Sequence, residues 1–596
     1  MDKVKSEKLT SYGAYLFPLI AAIILVVLES DVLYALQEQN LFLHTPLFFE
    51  QQMVKAGGLL TWMGSYLTQY FYYPMLGATL LCLLWAFFIW LSKRAFQLQN
   101  TWLTLIPTAC LVLTITTLGY WVFFLKLQGH PFCATIGSIM AVASVWGYRV
   151  LPQRFHLPSI YLILIAGLGY PLFGLYALIA TALIGIVGWR EGRKVDSILA
   201  ITQIAIWPLV GYYFYYHETN IVNIYWVGLP IFAHQEERFF AYNIPYIILF
   251  ASIAMMAIRP NIKPIKWLNY AVIAIVAAGL FLFWNRDDNF HRELSMSRSI
   301  EQNDWQQVIK TAKEIKGEPT RAICTMRNLA LFRLGRQGDE MFNYSNGAKR
   351  PNAPFSIHMV HTYGKMLYLQ YGLANYCYRW CMEDGVEYGW KVNNLKLMTL
   401  CALVNNEKEA ARKYISLLRK TTFHKSWAKQ HGQLMRNPQL IASTPEIAPM
   451  LRMAQTNNFL TNDLTQAESF IIEFFSTTES NDPMIQEQAL IAAIQTRNQK
   501  LFWPQFSRYV ELHRGQYMPR HYQEAACLFG FLGNMDMSHS NFDPQVMSDY
   551  QEMAVTMNRC HQQGIDIAKM GPYMSPHLRN TYYYNYYFNT YRFQEE

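Results

Sequence analysis

Apolar residues are not spread evenly along this 596-residue chain. Up to about residue 285 they gather into long runs separated by short polar or basic stretches. Beyond it they recur every three or four positions among charged residues. The runs fall at approximately 11–28, 70–91, 102–124, 133–150, 157–169, 172–189, 196–216, 244–258 and 266–284. A membrane helix needs roughly 20 apolar residues, fewer inside a bundle, so the pattern predicts about nine spans. The second pattern has the helical period and predicts soluble amphipathic helices. The expected fold is all-α: a polytopic membrane bundle over 1–285, then a helical domain over 286–596.

Within that second half, 328–338, 397–407 and 489–498 share one form. Each is an apolar-periodic helix and a short polar turn leading into another amphipathic segment, as at 410–418. The spacing predicts that Leu329, Leu331, Leu397, Leu400, Leu490 and Ile494 are buried. Strand-like alternation and hairpin turns are almost absent. With Asp304, Trp305, Ala330, Gly335, Ala410 and Ala411 at helix-packing positions, the region resembles a degenerate tetratricopeptide-type solenoid. It lacks the Gly expected after the Trp, most of the repeat-closing prolines and a strict period. The resemblance implies a concave surface that holds a protein or peptide partner.

Charge sharpens the division. Residues 1–285 carry 16 Lys and Arg with 11 Asp and Glu, against 34 and 30 in the remainder. Only 15% of the whole chain is charged, well below the roughly 25% of soluble proteins. A fully soluble enzyme, a disordered chain and a fibrous protein are excluded. The net charge of +9 is modest for this length and follows membrane topology, so no nucleic-acid partner is expected. Alternate gaps between runs hold Lys3, Lys5, Lys8, Lys93, Arg94, Arg149, Arg154, Arg190, Arg193, Lys194, Arg259, Lys263 and Lys266. The other gaps hold Lys55, Lys126 and Arg238 together with seven acids. The positive-inside rule then puts the amino terminus inside and residue 286 onward outside, in the periplasm of a bacterium. Three lysines precede the first run as in a signal peptide, but no small-x-small site closes it, so it reads as a retained helix. Basic flanks on both sides of 157–189 require two crossings, with a turn at Gly167, Gly169, Tyr170 and Pro171. That Gly-x-Gly has no preceding strand and no downstream acid, which excludes a nucleotide loop.

Signatures of catalysis are scarce. There is no phosphate loop and no HExxH. His358 and His361 lie one turn apart without a third ligand, and packed or surface histidines are expected there rather than a metal. Cys377 and Cys381 are four apart, which favours helix packing over a redox pair, and nine cysteines do not make a disulfide scaffold. No cofactor is implied.

The first outside loop is the most informative stretch. The first run ends in Glu29, Ser30 and Asp31, and about 38 residues follow before the next. Half of that loop is apolar, as in 41–44, 47–50 and 59–62, and suits a membrane surface. Lys126, His130, His217, Glu218, His234, Glu236, Glu237 and Arg238 fall on the same predicted side. This layout resembles the GT-C superfamily of membrane glycosyltransferases, which take sugars from polyprenyl-phosphate carriers. The resemblance covers the membrane half, and Glu29-Ser30-Asp31 is its only motif-like element. It implies that Asp31 or Glu29 serves as general base on an acceptor hydroxyl. It also implies that Arg238, Lys126 or His130 neutralises the departing phosphate. The first outside loop carries no adjacent acid pair of the kind several family members carry. The alternative is a non-catalytic membrane-anchored scaffold or assembly factor for an envelope complex. A transporter is disfavoured, because the runs carry almost no ionisable residue at mid-depth.

Overall fold

The computed structural model describes residues 13–126, 128–152, 154–230, 240–347, 349–353, 356–454, 459–537 and 540–589. The fold is all-α. Among the described residues no strand forms. The chain divides into two compact units. The first comprises 1–286 with 383–396 and 412–433, and the second comprises 287–382, 397–411 and 434–596.

Each apolar run of the first unit holds a helix, in order Leu16–Leu28, Pro74–Phe96, Leu105–Thr116, Phe132–Val150, Leu157–Gly167, Leu175–Arg190, Lys194–Phe214, Phe240–Ile258 and Lys266–Phe283. Four of these are long and apolar enough to cross a membrane: Pro74–Phe96, Phe132–Val150, Lys194–Phe214 and Lys266–Phe283. The pair Gly13–Leu28 and Ser30–Glu38, bent by 81°, is a fifth candidate. The other apolar helices are shorter than nine full spans would need, and the backbone explains two of the breaks. The run at 102–124 leaves the α-helix after Thr116, where Gly119 takes φ +49° and its Cα is covered by the Asn285 amide. The run at 172–189 is interrupted at Gly174 (φ +57°), where a Cβ would lie 2.3 Å from the Val227 carbonyl. The stretch expected to turn, 167–171, breaks at Leu168, and the helical turn Gly169–Phe173 separates that break from the second one at Gly174.

Helix ends in this unit gather into two sets. In one, Arg149 donates to the Ala95 carbonyl (2.8 Å) and Arg190 to the Ala257 carbonyl (2.5 Å). Glu191 bridges Arg149 and Arg193, and Asp196 accepts from Tyr148 (2.6 Å). Arginines here cap the last carbonyls of neighbouring helices, where the helix dipoles favour positive charge. In the other set, Asn285 N–H donates to the Thr116 carbonyl (2.8 Å) and Trp284 Nε1 to Glu29 (2.6 Å). Short helices Ser30–Glu38, Pro46–Met53 and Gly58–Thr68 fold the long first loop at this second end. Thr45 caps one of them, with Pro46 at its first position.

The second unit is built of helices packed on their sequence neighbours: Asp288–Glu301 on Trp305–Lys313, that on Arg321–Arg333, and Ala467–Ser476 on Pro483–Thr496 and it on Gln499–Leu512. Their starts are written in the sequence. Asp304, Thr320, Asp482, Asn498 and Asp543 each accept a backbone N–H of the first turn, and Pro483 and Pro544 follow at the first helical position. Leu329, Leu331, Leu397, Leu400, Leu490 and Ile494 are all buried. None of the nine cysteines forms a disulfide, and eight of them are buried.

Candidate functional site

Of the residues singled out by the sequence, Glu29, Asp31 and His130 lie at the end of the first unit away from the arginine cluster. Glu29 ends the first helix, is buried, and accepts from the Trp284 indole. Asp31 sits in the first turn of Ser30–Glu38, half-buried, and accepts the Val32 N–H at 2.9 Å. An acid in that position is favoured by the partial positive charge of a helix start. Of the two carboxylates, Asp31 is the more accessible.

His130 is buried. Its Nε2 lies 2.8 Å from the Thr114 carbonyl and 3.1 Å from the Tyr242 hydroxyl. Burial pushes its pKa down to about 4, against the opposing effect of the Thr114 carbonyl, so at neutral pH it is an uncharged imidazole. Glu29 and His130 both connect to the last turn of Leu105–Thr116, one through Trp284 and Asn285, the other directly. Lys126 is partly exposed and pairs with Glu387 at 2.7 Å. His217 and Glu218 are exposed. His234, Glu236, Glu237 and Arg238 lie outside the described residues.

Next to these groups is a buried polar layer that the sequence did not reveal. Asn40 donates to the Ser65 carbonyl (3.0 Å) and accepts the Gly129 N–H (3.1 Å), which ties the end of Ser30–Glu38 to the chain before His130. The segments 383–396 and 412–433 complete it. Lys391 Nζ is 2.9 Å from the Phe123 carbonyl and 3.2 Å from Asp384, both side chains being almost fully buried. Glu38 faces Lys396 at 3.6 Å, again with both buried. The Gln37 amide donates to His424 Nε2 (2.7 Å), which requires a neutral imidazole. Burial supplies that, lowering the His424 pKa to about 4, with Glu38 pulling it up and Lys396 down.

Several oxygens in this layer have no hydrogen-bond partner among the described residues: both of Glu38, and one each of Gln37, Gln39, Ser65 and Gln128. Orphan acceptors are costly in a dry interior, so the layer is suited to water or to a ligand rich in O–H donors. An aromatic wall adjoins it, with Phe423 stacked on Tyr72 (5.4 Å, 6°) and edge-on to Tyr70 and Tyr73.

Among the described residues no group of three His, Cys, Asp or Glu is placed to hold a metal ion. The rings of His358 and His361 stand 6.5 Å apart, and His361 packs edge-on to Trp380.

Fold and site together define an all-helical protein in which several helices are apolar and long enough to span a membrane, with a buried polar layer at one end of the first unit. The chain belongs to the family of unknown function DUF6057, which matches residues 7–589. No curated protein and no solved structure matches it.

Proposed function

We propose that the protein is a bacterial inner-membrane glycosyltransferase that moves a sugar from a polyprenyl-phosphate carrier to an acceptor hydroxyl at the outer face of the membrane. In this reading the arginine-capped helix ends lie in the cytoplasm and the acid-bearing end lies outside, with the second unit as a periplasmic solenoid. The observation that carries the proposal is the 81° break at Glu29. It turns Ser30–Glu38 away from the first helix, so that Asp31 opens the turned segment and Glu38 ends it in the acceptor-rich layer.

Asp31 takes the proton of the acceptor hydroxyl as its oxygen forms the new bond to the sugar carbon. The carbon–oxygen bond to phosphate breaks, and the phosphate leaves with the electron pair. Lys126 and Arg238 supply positive charge to that phosphate, whereas His130, neutral and buried with its Nε2–H given to the Thr114 carbonyl, is a packing residue and not the phosphate ligand that the resemblance implied. Glu29, held by Trp284, positions the break. Sugar hydroxyls donate to the amide and carboxylate oxygens around Glu38.

Asp31→Asn keeps the size and removes the proton acceptor. Transfer is expected to fall by roughly 10²–10⁴-fold, with lipid-linked donor accumulating and membrane insertion unchanged. Wild-type envelope glycans in Asp31→Asn, Glu29→Gln and the double variant, at matched expression, would end the transferase reading. The competing scaffold reading rests on the neighbour-on-neighbour helix packing of the second unit. It ranks the variants the other way, with Asp31→Asn silent and charge reversals on the second unit's exposed faces damaging. Orientation has its own test. Single cysteines engineered near Gln52 and Asn303 should react with a membrane-impermeant thiol reagent in intact cells, and one near Gln97 should not. Labelling near Asn303 only after lysis places the second unit in the cytoplasm.

A further inference from the structure

Arg327 lies at the centre of Arg321–Arg333, a helix buried along eleven consecutive residues. The side chain is only 2% exposed. Its hydrogen bonds all go to neutral groups: Nε and Nη2 to the Asn328 amide oxygen, Nη2 also to that of Asn346, and Nη1 to the Ser345 carbonyl at 2.8 Å. These four leave the second Nη1 hydrogen uncommitted, and the Tyr344 ring lies 5.1 Å from the guanidinium carbon.

No carboxylate pairs with this cation among the described residues. The nearby acids are already engaged. Glu468 is held by both Nε and Nη2 of Arg321 at 2.9 and 2.6 Å, and Glu340 by Arg336 at 2.6 and 2.8 Å with the Tyr344 hydroxyl at 3.1 Å. A buried charge without a counter-ion is expensive, and most native structures pair it. Burial lowers the Arg327 pKa, but from so high a starting value that the group stays charged.

Beside Arg327 is a cavity of about 370 Å³. Lys313, at the end of Trp305–Lys313, lines it from an exposed position, Glu340 lines it with its carboxylate held by Arg336, and Ala312, Ile315, Pro319 and Ile323 give it an apolar wall. A volume above roughly 300 Å³ with convergent polar groups is of the size that holds small molecules. We propose that this cavity is a binding site for a small organic oxyanion, with its carboxylate or phosphate between Arg327 and Lys313 and its carbon skeleton on the apolar wall. The ligand's charge supplies the counter-ion that the protein does not. The site stands apart from the transferase reading, and neither outcome here bears on the Asp31 test.

The experiment is amide hydrogen exchange over 321–347 in the full chain in detergent, titrating sodium phosphate or sodium butyrate against sodium chloride at constant ionic strength. Saturable slowing with phosphate assigns the phosphate class, and with butyrate the carboxylate class; chloride should have no such effect. Lys313→Ala, an exposed change that leaves the ligand-free exchange pattern intact, should raise the half-saturating concentration about 5-fold. Arg327→Gln should abolish the effect. If that variant loses its ligand-free protection, Ala312→Phe, which fills the cavity from its rim, takes its place and should abolish it too. Absence of saturable slowing with either anion, or slowing unchanged in Lys313→Ala and Ala312→Phe, overturns the proposal.

Discussion

Asp463 in the second unit and Glu38 in the first are both buried carboxylates beside a cation. Asp463 accepts from Tyr368 (2.8 Å), Trp380 (2.7 Å) and Arg379 (2.7 Å). Burial works against its ionisation, yet these donors together hold its carboxyl below the usual value. Glu38 has Lys396 at 3.6 Å and no hydrogen bond to either oxygen. Glu524 repeats the first pattern, fully buried and bonded to Arg520, His521 and the Tyr582 N–H. Fully satisfied networks fix a fold, whereas under-satisfied ones mark places kept ready for something else. By that measure Asp463 and Glu524 are spent on structure and Glu38 is kept open, while the second unit also holds two cations without a carboxylate, Arg327 and Arg333, the latter with Nε and Nη1 unpartnered among the described residues.

The largest expected effect that can break this contrast is on stability. Asp463→Ala leaves Arg379 and two donors without their acceptor and should cost about 3–5 kcal/mol in denaturant unfolding of the second unit. A loss below about 1 kcal/mol would mean that the network is no more structural than the Glu38 layer.

The next effect is a pH slope. His424 and His130 hold pKa values of about 4 in the folded chain, against an ordinary value near 6.5. Between those pH values the unfolded chain binds more protons, so stability is complete above about pH 6.5 and falls as pH drops towards 4. Each histidine contributes a loss of roughly 3 kcal/mol across that window. The groups facing His424 are Gln37, Glu38 and Lys396. His424→Gln should flatten the decline in Tm between pH 6.5 and 4.5, and an unchanged slope would show that His424 is not buried neutral.

The smallest expected change in stability comes from Glu38→Gln. It removes no hydrogen bond but takes the counter-ion from buried Lys396, so it should cost about 2–3 kcal/mol in thermal unfolding. If the layer binds the transferred sugar, transfer should nevertheless fall about 10-fold. A large loss of stability with transfer intact would make Glu38 a structural ion-pair partner and move the ligand elsewhere.

Helix type and position followed from local signals. The apolar runs marked where the helices of the first unit lie, because burying or embedding such a run is the strongest local constraint on a chain. Asp304, Asp482 and Asp543 marked helix starts, because a side-chain oxygen there satisfies an otherwise orphan N–H. Run length was a weaker guide to helix length, since Gly119 and Gly174 break runs for the sake of close contacts with Asn285 and Val227 far along the chain. The polar layer was not legible at all. Gln37 meets a histidine 387 residues away, and Lys391 and Lys396 belong with the first unit although they lie more than a hundred residues beyond residue 285. Periodicity and capping report only neighbours within a few residues. Which distant charge is paired, which is left facing orphan oxygens, and which, like Arg327, is buried without a counter-ion is decided when the helices pack.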